Sequence, residues 1–166
     1  MKGVMITLVA GLVLGVAAYA AFDGVMYYTS TDDFCGNACH EMEIPRNALH
    51  QTAHHSNAHG ITVGCSDCHI PKEFGPKMLR KIEASREVWG HWTGVIDTPE
   101  KYAAHRPVMV ERELDRLRAN DSQECRNCHQ VAQMDFAAQD RAVRRYHRGI
   151  EQRGKTCIDC HQGIAH

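Results

Sequence analysis

The sequence predicts a mainly α-helical protein with long loops, preceded by one transmembrane helix. Three observations lead to this fold class. An uncharged and largely apolar run covers residues 4–22. Apolar side chains recur at helical spacing over about residues 76–96, and no alternating strand pattern is visible. Between and after these segments, eight cysteines fall into four short motifs within polar segments that contain glycine and proline.

The amino-terminal run is long enough to cross a membrane once, because about 20 apolar residues span the hydrocarbon core. Lys2 precedes the run and Asp23 follows it. The positively charged end of such a helix stays in the cytoplasm, which predicts export of the remaining chain. A cleaved signal peptide is the alternative, because Ala18–Ala20 resembles a cleavage site. The run is longer than a usual signal peptide core, so we expect an uncleaved anchor over residues 1–28 and an exported domain over residues 29–166.

Each of the eight cysteines belongs to a motif of two cysteines followed directly by a histidine. Cys-x-x-Cys-His is the attachment signature of c-type haem, whose iron the histidine ligates. The first motif has one extra residue between its cysteines, where Gly36 gives the loop conformational freedom. The motifs predict a multihaem cytochrome c domain whose loops wrap around four covalently attached c-type haems. Their residues are Cys35, Cys39 and His40; Cys65, Cys68 and His69; Cys125, Cys128 and His129; and Cys157, Cys160 and His161.

Two other uses of eight cysteines fit this pattern less well. Paired Cys-x-x-Cys motifs also bind zinc, and the cysteines of an exported chain can form disulfides. Neither use requires a histidine directly after every second cysteine, which is what this sequence has. Covalent haem attachment uses every cysteine and every adjacent histidine.

The composition indicates a thin protein core and excludes a nucleic-acid-binding surface. Only 7% of the residues are aromatic. Four haems would supply much of the buried apolar material, so we expect the exported chain not to fold without them. The formal net charge is −1, which does not fit a protein that binds nucleic acid.

The hydrophobic periodicity predicts only a few long helices in the exported part. Residues 35–75 are predicted to be loops around haem, and residues 76–96 form an amphipathic helix. Pro99 is placed just inside a helix start. A further helical stretch begins or kinks at Pro107 and runs to about residue 118. The last predicted helix covers about residues 137–152 and ends before a glycine.

Each low-spin c-type haem needs a second axial ligand besides the motif histidine. The sequence has more histidines than the haems require, so some of them are not ligands. Position along the chain does not rank them. The histidines outside the motifs are His50, His54, His55, His59, His91, His105, His147 and His166.

Beyond the cysteines, seven segments match a known pattern. They are residues 39–42, 65–71, 75–78, 84–89, 96–101, 124–129 and 156–166. The chain thereby resembles the NapC/NirT family of membrane-anchored multihaem cytochromes. The resemblance implies a single-pass protein of the bacterial inner membrane with its haem domain in the periplasm. It implies a quinol dehydrogenase that takes electrons from menaquinol or ubiquinol and passes them to a periplasmic reductase, for nitrate, nitrite or a similar substrate, or to a cytochrome.

The resemblance also implies ligands for the first and fourth haems. Met42 ligates the first haem in place of His40, whereas the motif by itself favours ordinary ligation by His40. His54 is the distal ligand of the fourth haem, and His55 and His59 remain close alternatives.

The ligands of the second and third haems follow from the same resemblance. His166 corresponds to the distal ligand of the third haem. The second haem takes a lysine in the small nitrite-reductase subunit, and Lys81 lies closest to that position. Lys72, His105 and His147 remain alternatives for the second haem.

Quinol oxidation releases protons as well as electrons, so the site needs a proton acceptor near the membrane. Glu87 corresponds to an acidic residue that the family places near the first haem, and we expect it to accept the proton. Lys81 or Arg86 is expected to position the quinol oxygen. The alternative is that Glu87 only pairs with one of these cations on a solvated helix face.

Three other functions use the same motifs. A terminal reductase would bind a small nitrogen oxyanion at an open haem, and a soluble or anchored tetrahaem carrier would lack a quinone site. Electron flow in the reverse direction, into the quinone pool, would use the same residues. The expected partners are the quinol pool, the lipid bilayer and a periplasmic redox protein, and homo- or hetero-oligomers are possible on this sequence.

Overall fold

The computed structural model describes residues 1–166 and consists of helices and connecting segments without strands, which confirms the predicted fold class. Four short 3-10 turns lie between the helices or after the last one. They cover His40–Met42, Val131–Gln133, Glu151–Arg153 and Cys157–Asp159. The α-helices are α1 (Lys2–Tyr28), α2 (Asp32–Asn37), α3 (Glu43–His50), α4 (Cys65–His69), α5 (Phe74–Trp92), α6 (Pro99–Ala119), α7 (Gln123–Arg126) and α8 (Arg141–Arg148).

Helix α1 projects from the rest of the protein. Its 27 residues include none that is buried, and it is long and apolar enough to cross a membrane once. At 1.5 Å per residue it is about 40 Å long, which exceeds the hydrocarbon core of a bilayer. The helix ends at Tyr28, whose ring packs edge-on against Phe34 with centroids 5.5 Å apart. The division into residues 1–28 and 29–166 remains a prediction.

Helices α5 and α6 are the long helices of the remaining chain. Helix α5 ends at Trp92, earlier than predicted, because Gly94 with φ +74° turns the chain away. Thr98 begins α6, since its hydroxyl accepts a hydrogen bond from the amide of Lys101. Of the two alternatives predicted at Pro107, a helix start or a kink, the start is wrong, because α6 continues through this residue. The proline removes only one backbone hydrogen bond from a helix of 21 residues.

The segment predicted as loops, residues 35–75, is partly helical. Helices α2, α3 and α4 cover much of it, and residues 51–64 are the connecting part. Thr31 caps α2 by accepting a hydrogen bond from the amide of Phe34 at 3.2 Å. Such short helices have too few turns to show a periodic pattern in the sequence. The last predicted helix is also shorter, because α8 stops at Arg148.

The apolar core is thin, as the low aromatic content predicts. Only 11 of 166 residues are buried. Polar contacts and backbone turns therefore position the motifs relative to one another. The buried hydrophobic side chains are Leu49, Ile96, Tyr102, Leu117 and Ile158.

Candidate functional site

All eight cysteines are free thiols, partly or fully exposed, and none forms a disulfide. Each motif places its histidine directly after the second thiol, at or near the end of a short helix or turn. This arrangement leaves two thiols and one imidazole per motif available for covalent haem attachment. The disulfide alternative finds no support in these contacts.

Each motif histidine faces a second histidine from outside the motifs. For His40 of the first motif this is His91, with ring centroids 5.9 Å apart and the rings edge-on. A six-coordinate haem iron lies between two axial ligands, so facing imidazoles fit that role. The ring centroids are about 6 Å apart in each pair, and the rings of two pairs are near parallel. The pairs at the other three motifs are His69 with His166 (5.6 Å), His129 with His54 (6.2 Å) and His161 with His147 (6.0 Å). These residues fit three haems with two histidines each.

The pairing differs from the one expected for two of these histidines. His54 faces His129 of the third motif, whereas the resemblance placed it at the fourth haem. His166 faces His69 of the second motif, with the two Nε2 atoms 3.4 Å apart, whereas it was expected at the third haem. The partners are 75 and 97 residues apart in the sequence, so chain order alone does not reveal them. His147 takes the position expected for His54.

Lys81 lies at the junction of the membrane helix and the first motif. Its ammonium donates hydrogen bonds to the carbonyl and the hydroxyl of Thr29, at 2.6 and 2.8 Å. Burial lowers the pKa of Lys81, the neighbouring Lys77 lowers it further, and Cys35 opposes this. The structure thus places Lys81 at the end of α1, and His166 occupies the position opposite His69 that Lys81 was expected to fill.

The histidine of the first motif is held by the protein itself. Nε2 of His40 lies 2.7 Å from the carbonyl oxygen of Asp97 and donates to it. Nδ1 of the same ring is 3.5 Å from the carboxylate of Glu41, which is only 2% exposed. Nδ1 of His91 lies 2.5 Å from the other oxygen of Glu41. Since Nε2 of His40 is engaged with backbone, the sulfur of Met42 is the more available ligand in this motif.

Met42 shares a cavity with the second motif. The cavity has a volume of about 50 Å³ and lies between the first two motifs. Leu49 of α3 lines it as well, so the wall is largely apolar. The lining residues that can bond to haem or ligate iron are Cys35, Met42, Cys65, Cys68, His69 and His166. The structure therefore brings the candidate ligands of the first two haems to one place.

An open groove of about 500 Å³ lies on the surface of α5. It is lined by Ser85, Arg86, Val88, Trp89 and Trp92. Trp89 is 66% exposed and Trp92 is 75% exposed. Two exposed indole rings beside a guanidinium form a surface that can take an aromatic ligand with polar oxygens.

Glu87 belongs to the same helix but is not among the residues that line this groove, and its side chain faces α6. One carboxylate oxygen is 3.7 Å from a guanidinium nitrogen of Arg112 in α6, and the other is buried without a hydrogen-bond partner. No hydrogen bond or ion pair joins Glu87 to Lys81 or Arg86, and Arg86 instead donates to the carbonyl of Glu83. The structure does not bring the three predicted catalytic side chains into contact.

A buried polar cluster joins the second and third motifs. Arg116 of α6 donates to the carbonyl oxygen of Cys68 at 3.0 Å and to the carboxylate of Glu124 at 2.6 Å. It also holds Glu113, which accepts a hydrogen bond from Nδ1 of His69 at 2.9 Å. Burial alone would raise the pKa of Glu113, but hydrogen bonds from His69 and Arg116 lower it to about 2. No sequence pattern predicted this cluster. The one local indication is the spacing of Glu113 and Arg116, which puts the two side chains on one face of a helix.

Neighbouring contacts join the other motifs in chain order. Asp32 of α2 accepts a hydrogen bond from the amide of Cys65 at 2.7 Å, which connects the first motif to the second. Ser122, fully buried with φ +52°, precedes the third motif. Its hydroxyl accepts from the amide of Ile158 in the fourth motif at 3.2 Å. The four motifs therefore form a continuous series that starts beside the membrane helix.

Free thiols beside a histidine in every motif, with a second histidine facing each motif histidine, define a multihaem c-type cytochrome. The comparison with known proteins agrees with this class. Residues 1–166 match the profile described as the NapC/NirT cytochrome c family, N-terminal region. The chain belongs to the NapC/NirT cytochrome c family, which confirms the resemblance seen in the sequence.

Several characterised relatives are similar over most of this chain. The cytochrome c-type protein NapC of Escherichia coli K12 is 45% identical over 96% of the chain and 80% of its own length. The denitrification system component NirT of Stutzerimonas stutzeri is 41% identical over 96% of the chain and 79% of its own length. The cytochrome c-type protein TorY of Haemophilus influenzae is 39% identical over 92% of the chain and 41% of its own length. No solved structure matches the chain.

Family membership confirms the general function expected from the sequence. Members of the family are membrane-anchored tetrahaem cytochromes that pass electrons from quinol to periplasmic reductases. Helix α1 agrees with membrane attachment, because it is the one helix long and apolar enough to span a bilayer. The chain is thus a membrane-anchored electron-transfer cytochrome with c-type haems.

Proposed function

We propose that this chain is itself a quinol dehydrogenase, which oxidises menaquinol or ubiquinol at the membrane surface and delivers the electrons to a periplasmic reductase or cytochrome. One observation carries this proposal. The first motif begins seven residues after the end of the membrane helix, and Lys81 of α5 is hydrogen-bonded to Thr29 at that junction. Electrons from a lipid-soluble donor therefore enter the series of motifs at its membrane end.

The histidine pairs and free thiols support a set of residues that would hold the haems. Each pair of thiols binds one haem, and the three histidine pairs supply both axial ligands at the second, third and fourth motifs. Met42 is proposed as the ligand at the first motif, since Nε2 of His40 is bonded to the Asp97 carbonyl. When bound, the four haems supply one-electron carriers, and axial ligands and local polarity set their potentials.

The groove on α5 is proposed as the quinol-binding surface. Trp89 and Trp92 offer exposed aromatic faces to the quinol ring, and indole side chains are favoured at the membrane interface. Arg86 lines the same groove and is exposed, so its guanidinium can donate to a quinol oxygen. Lys81 is already bonded to Thr29, so its proposed role is to fix α5 against the end of the anchor.

Glu87 is proposed as the proton acceptor. One of its carboxylate oxygens has no hydrogen-bond partner, so a lone pair is available for a proton. Glu87 lies on the same helix as the groove residues but does not line the groove, because its side chain faces Arg112 of α6. The other carboxylate oxygen forms an ion pair with Arg112 at 3.7 Å, which fixes the side chain against α6.

The topology follows from the anchor. Lys2 precedes the apolar run, so the amino terminus is proposed to lie in the cytoplasm and residues 29–166 in the periplasm. The protein is then a single-pass protein of the bacterial inner membrane. Electron flow in the reverse direction would use the same residues and the same topology.

The residue assignment is tested by the rate at which quinol reduces the oxidised protein. In stopped-flow absorption with menaquinol, Glu87→Gln slows haem reduction at least about tenfold, because general-base assistance is typically worth 10²–10⁴-fold. Glu83→Gln, on the same helix, is the matched control and reduces at the wild-type rate with the same haem content. Equal rates of haem reduction in the Glu87→Gln and Glu83→Gln variants would show that Glu87 is not the proton acceptor. Turnover of nitrite or hydroxylamine by the isolated protein would favour a terminal reductase instead.

A further inference from the structure

The chain carries a basic face near its carboxy-terminal motif. Residues 141–155 contain six cations and a single carboxylate, Glu151, although the whole chain has a formal net charge of −1. We use the term basic face for the five of these cations that are exposed. They are Arg141, Arg145, Arg148, Arg153 and Lys155.

None of the five cations of the basic face forms an ion pair with a carboxylate of the chain. This distinguishes them from three of the four arginines of α6, because Arg112, Arg116 and Arg118 each pair with at least one acidic side chain. Two of the five are instead placed by aromatic rings. Arg148 lies 5.5 Å from the ring centroid of Phe136, and Arg153 lies 5.0 Å from that of Tyr146. Stacking orders a guanidinium without neutralising it, so the positive charge remains available to a partner.

The basic face lies close to the fourth motif, because Arg141, Arg145 and Arg148 share α8 with His147, and Lys155 is two residues before Cys157. His147, within α8, faces His161 at 6.0 Å, and its Nδ1 is 2.9 Å from the side-chain oxygen of Gln139. Cys160 and His161 are exposed. The cations thus lie beside a motif whose second cysteine and histidine are open to solvent, as they also are in the third motif.

The same motif is the last of the series that begins at the membrane helix. Contacts run from the first to the second motif through Asp32, from the second to the third through Arg116, and from the third to the fourth through Ser122. No hydrogen bond or ion pair joins α8 to α1. A partner that exchanges electrons at this end therefore approaches from solution, so a protein fits the basic face better than the lipid surface does.

We propose that the basic face is the docking surface for a soluble periplasmic redox protein that presents an acidic patch around its own electron-transfer centre. The proposal rests on the proposed electron-transfer function and extends it to the kind of partner. Opposite charges steer two proteins into an encounter and orient them, which raises the association rate. The docked partner then lies against the fourth motif, whichever direction the electrons take.

The test uses dithionite-reduced full-length protein, so it does not depend on quinol oxidation. Its oxidation by ferricyanide, an anionic acceptor, is compared with oxidation by the cationic tris(phenanthroline)cobalt(III). At low ionic strength, Arg141→Glu/Arg145→Glu slows the ferricyanide reaction roughly tenfold and accelerates the cobalt reaction. Arg141→Lys/Arg145→Lys keeps both wild-type rates, because it keeps the charge. High salt removes the differences by screening.

A protein probe completes the test. The soluble domain of cytochrome b5, an acidic electron-transfer protein, is immobilised, and the detergent-purified protein is passed over it. Wild type and the lysine variant bind in a salt-dependent manner, and the glutamate variant does not. Equal binding by the three forms, with equal haem spectra, would overturn the proposal.

The lipid surface is the competing partner. In liposomes that contain phosphatidylglycerol, a basic face bound to lipid would lose its effect on ferricyanide oxidation, so that wild type and the glutamate variant react alike. That result would overturn the proposal. A difference that persists in these liposomes supports a face that is open to solution.

Discussion

Glu113 accepts a hydrogen bond from Nδ1 of His69 over 2.9 Å. The carboxylate must be the acceptor, because its pKa is held at about 2 and it is charged at neutral pH. Nδ1 of His69 therefore carries the proton, and Nε2 is left to face His166, 3.4 Å away. A carboxylate behind a ligating imidazole fixes its tautomer and makes it a stronger donor to the metal.

Removing this charge is expected to shift the potential of one haem. Glu113→Gln leaves a hydrogen bond but makes His69 a weaker donor, so the oxidised iron is stabilised less and one midpoint potential rises. A tenfold change in the equilibrium constant between the oxidised and the reduced iron corresponds to about 59 mV for a one-electron couple. A spectroelectrochemical titration measures the four midpoints.

The matched control for Glu113 is Glu111→Gln, since Glu111 is an exposed residue of the same helix that pairs with Arg118. It is expected to leave all four midpoints at their wild-type values. Unchanged midpoints in Glu113→Gln, with four haems still bound, would show that the hydrogen bond does not tune the second haem.

The histidine pairing predicts which residues ligate iron. His166→Ala and His147→Ala each remove one distal imidazole, so each converts one low-spin haem to high spin in the electron paramagnetic resonance spectrum. His59, which is exposed and faces no motif histidine, is the control. A new high-spin signal in His105→Ala together with an unchanged spectrum in His166→Ala would refute the pairing.

Substitutions at Met42 and His40 are expected to show which of the two side chains ligates the first haem iron. Met42→Ala removes the proposed ligand and changes the absorption of one haem. His40→Ala keeps the ligation but loses the bond to the Asp97 carbonyl, so it lowers thermal stability by about 1 kcal/mol without a spectral change. Absorption spectra and thermal unfolding of the two variants measure these effects. A spectral change in His40→Ala, with none in Met42→Ala, would identify His40 as the ligand instead.

The thin core predicts that folding requires haem attachment. With only five buried hydrophobic side chains, the exported part cannot offset the conformational entropy of ordering about 140 residues. A variant with all eight cysteines replaced by alanine is expected to show far-ultraviolet circular dichroism of little more than α1. A cooperative thermal transition in that variant would contradict this expectation.

The sequence predicted the features that repeat or persist over many residues. The four motifs, the apolar run and the helix around Trp89 are of this kind, because each shows a local pattern that needs no knowledge of the fold. The short helices escaped prediction because α2 and α4 have only six and five residues. Their ends are set by single contacts, such as the cap at Thr31.

The contacts that assemble the site are long-range, and sequence patterns do not contain them. His69 meets His166 across 97 residues, and His40 meets Asp97 across 57. No pattern in the sequence predicted the role of Glu41, because its partner His91 lies 50 residues away in α5. Which histidine serves which motif is decided by how the segment of residues 51–64 and the carboxy-terminal segment fold back.

The most direct test of the account is the reduction of full-length, oxidised protein in liposomes by menaquinol and by ubiquinol, followed by visible absorption of the haems. The account predicts rapid reduction by at least one of the two quinols, beginning without any partner protein. No reduction by either quinol, in protein with four intact haems that dithionite still reduces, would contradict it.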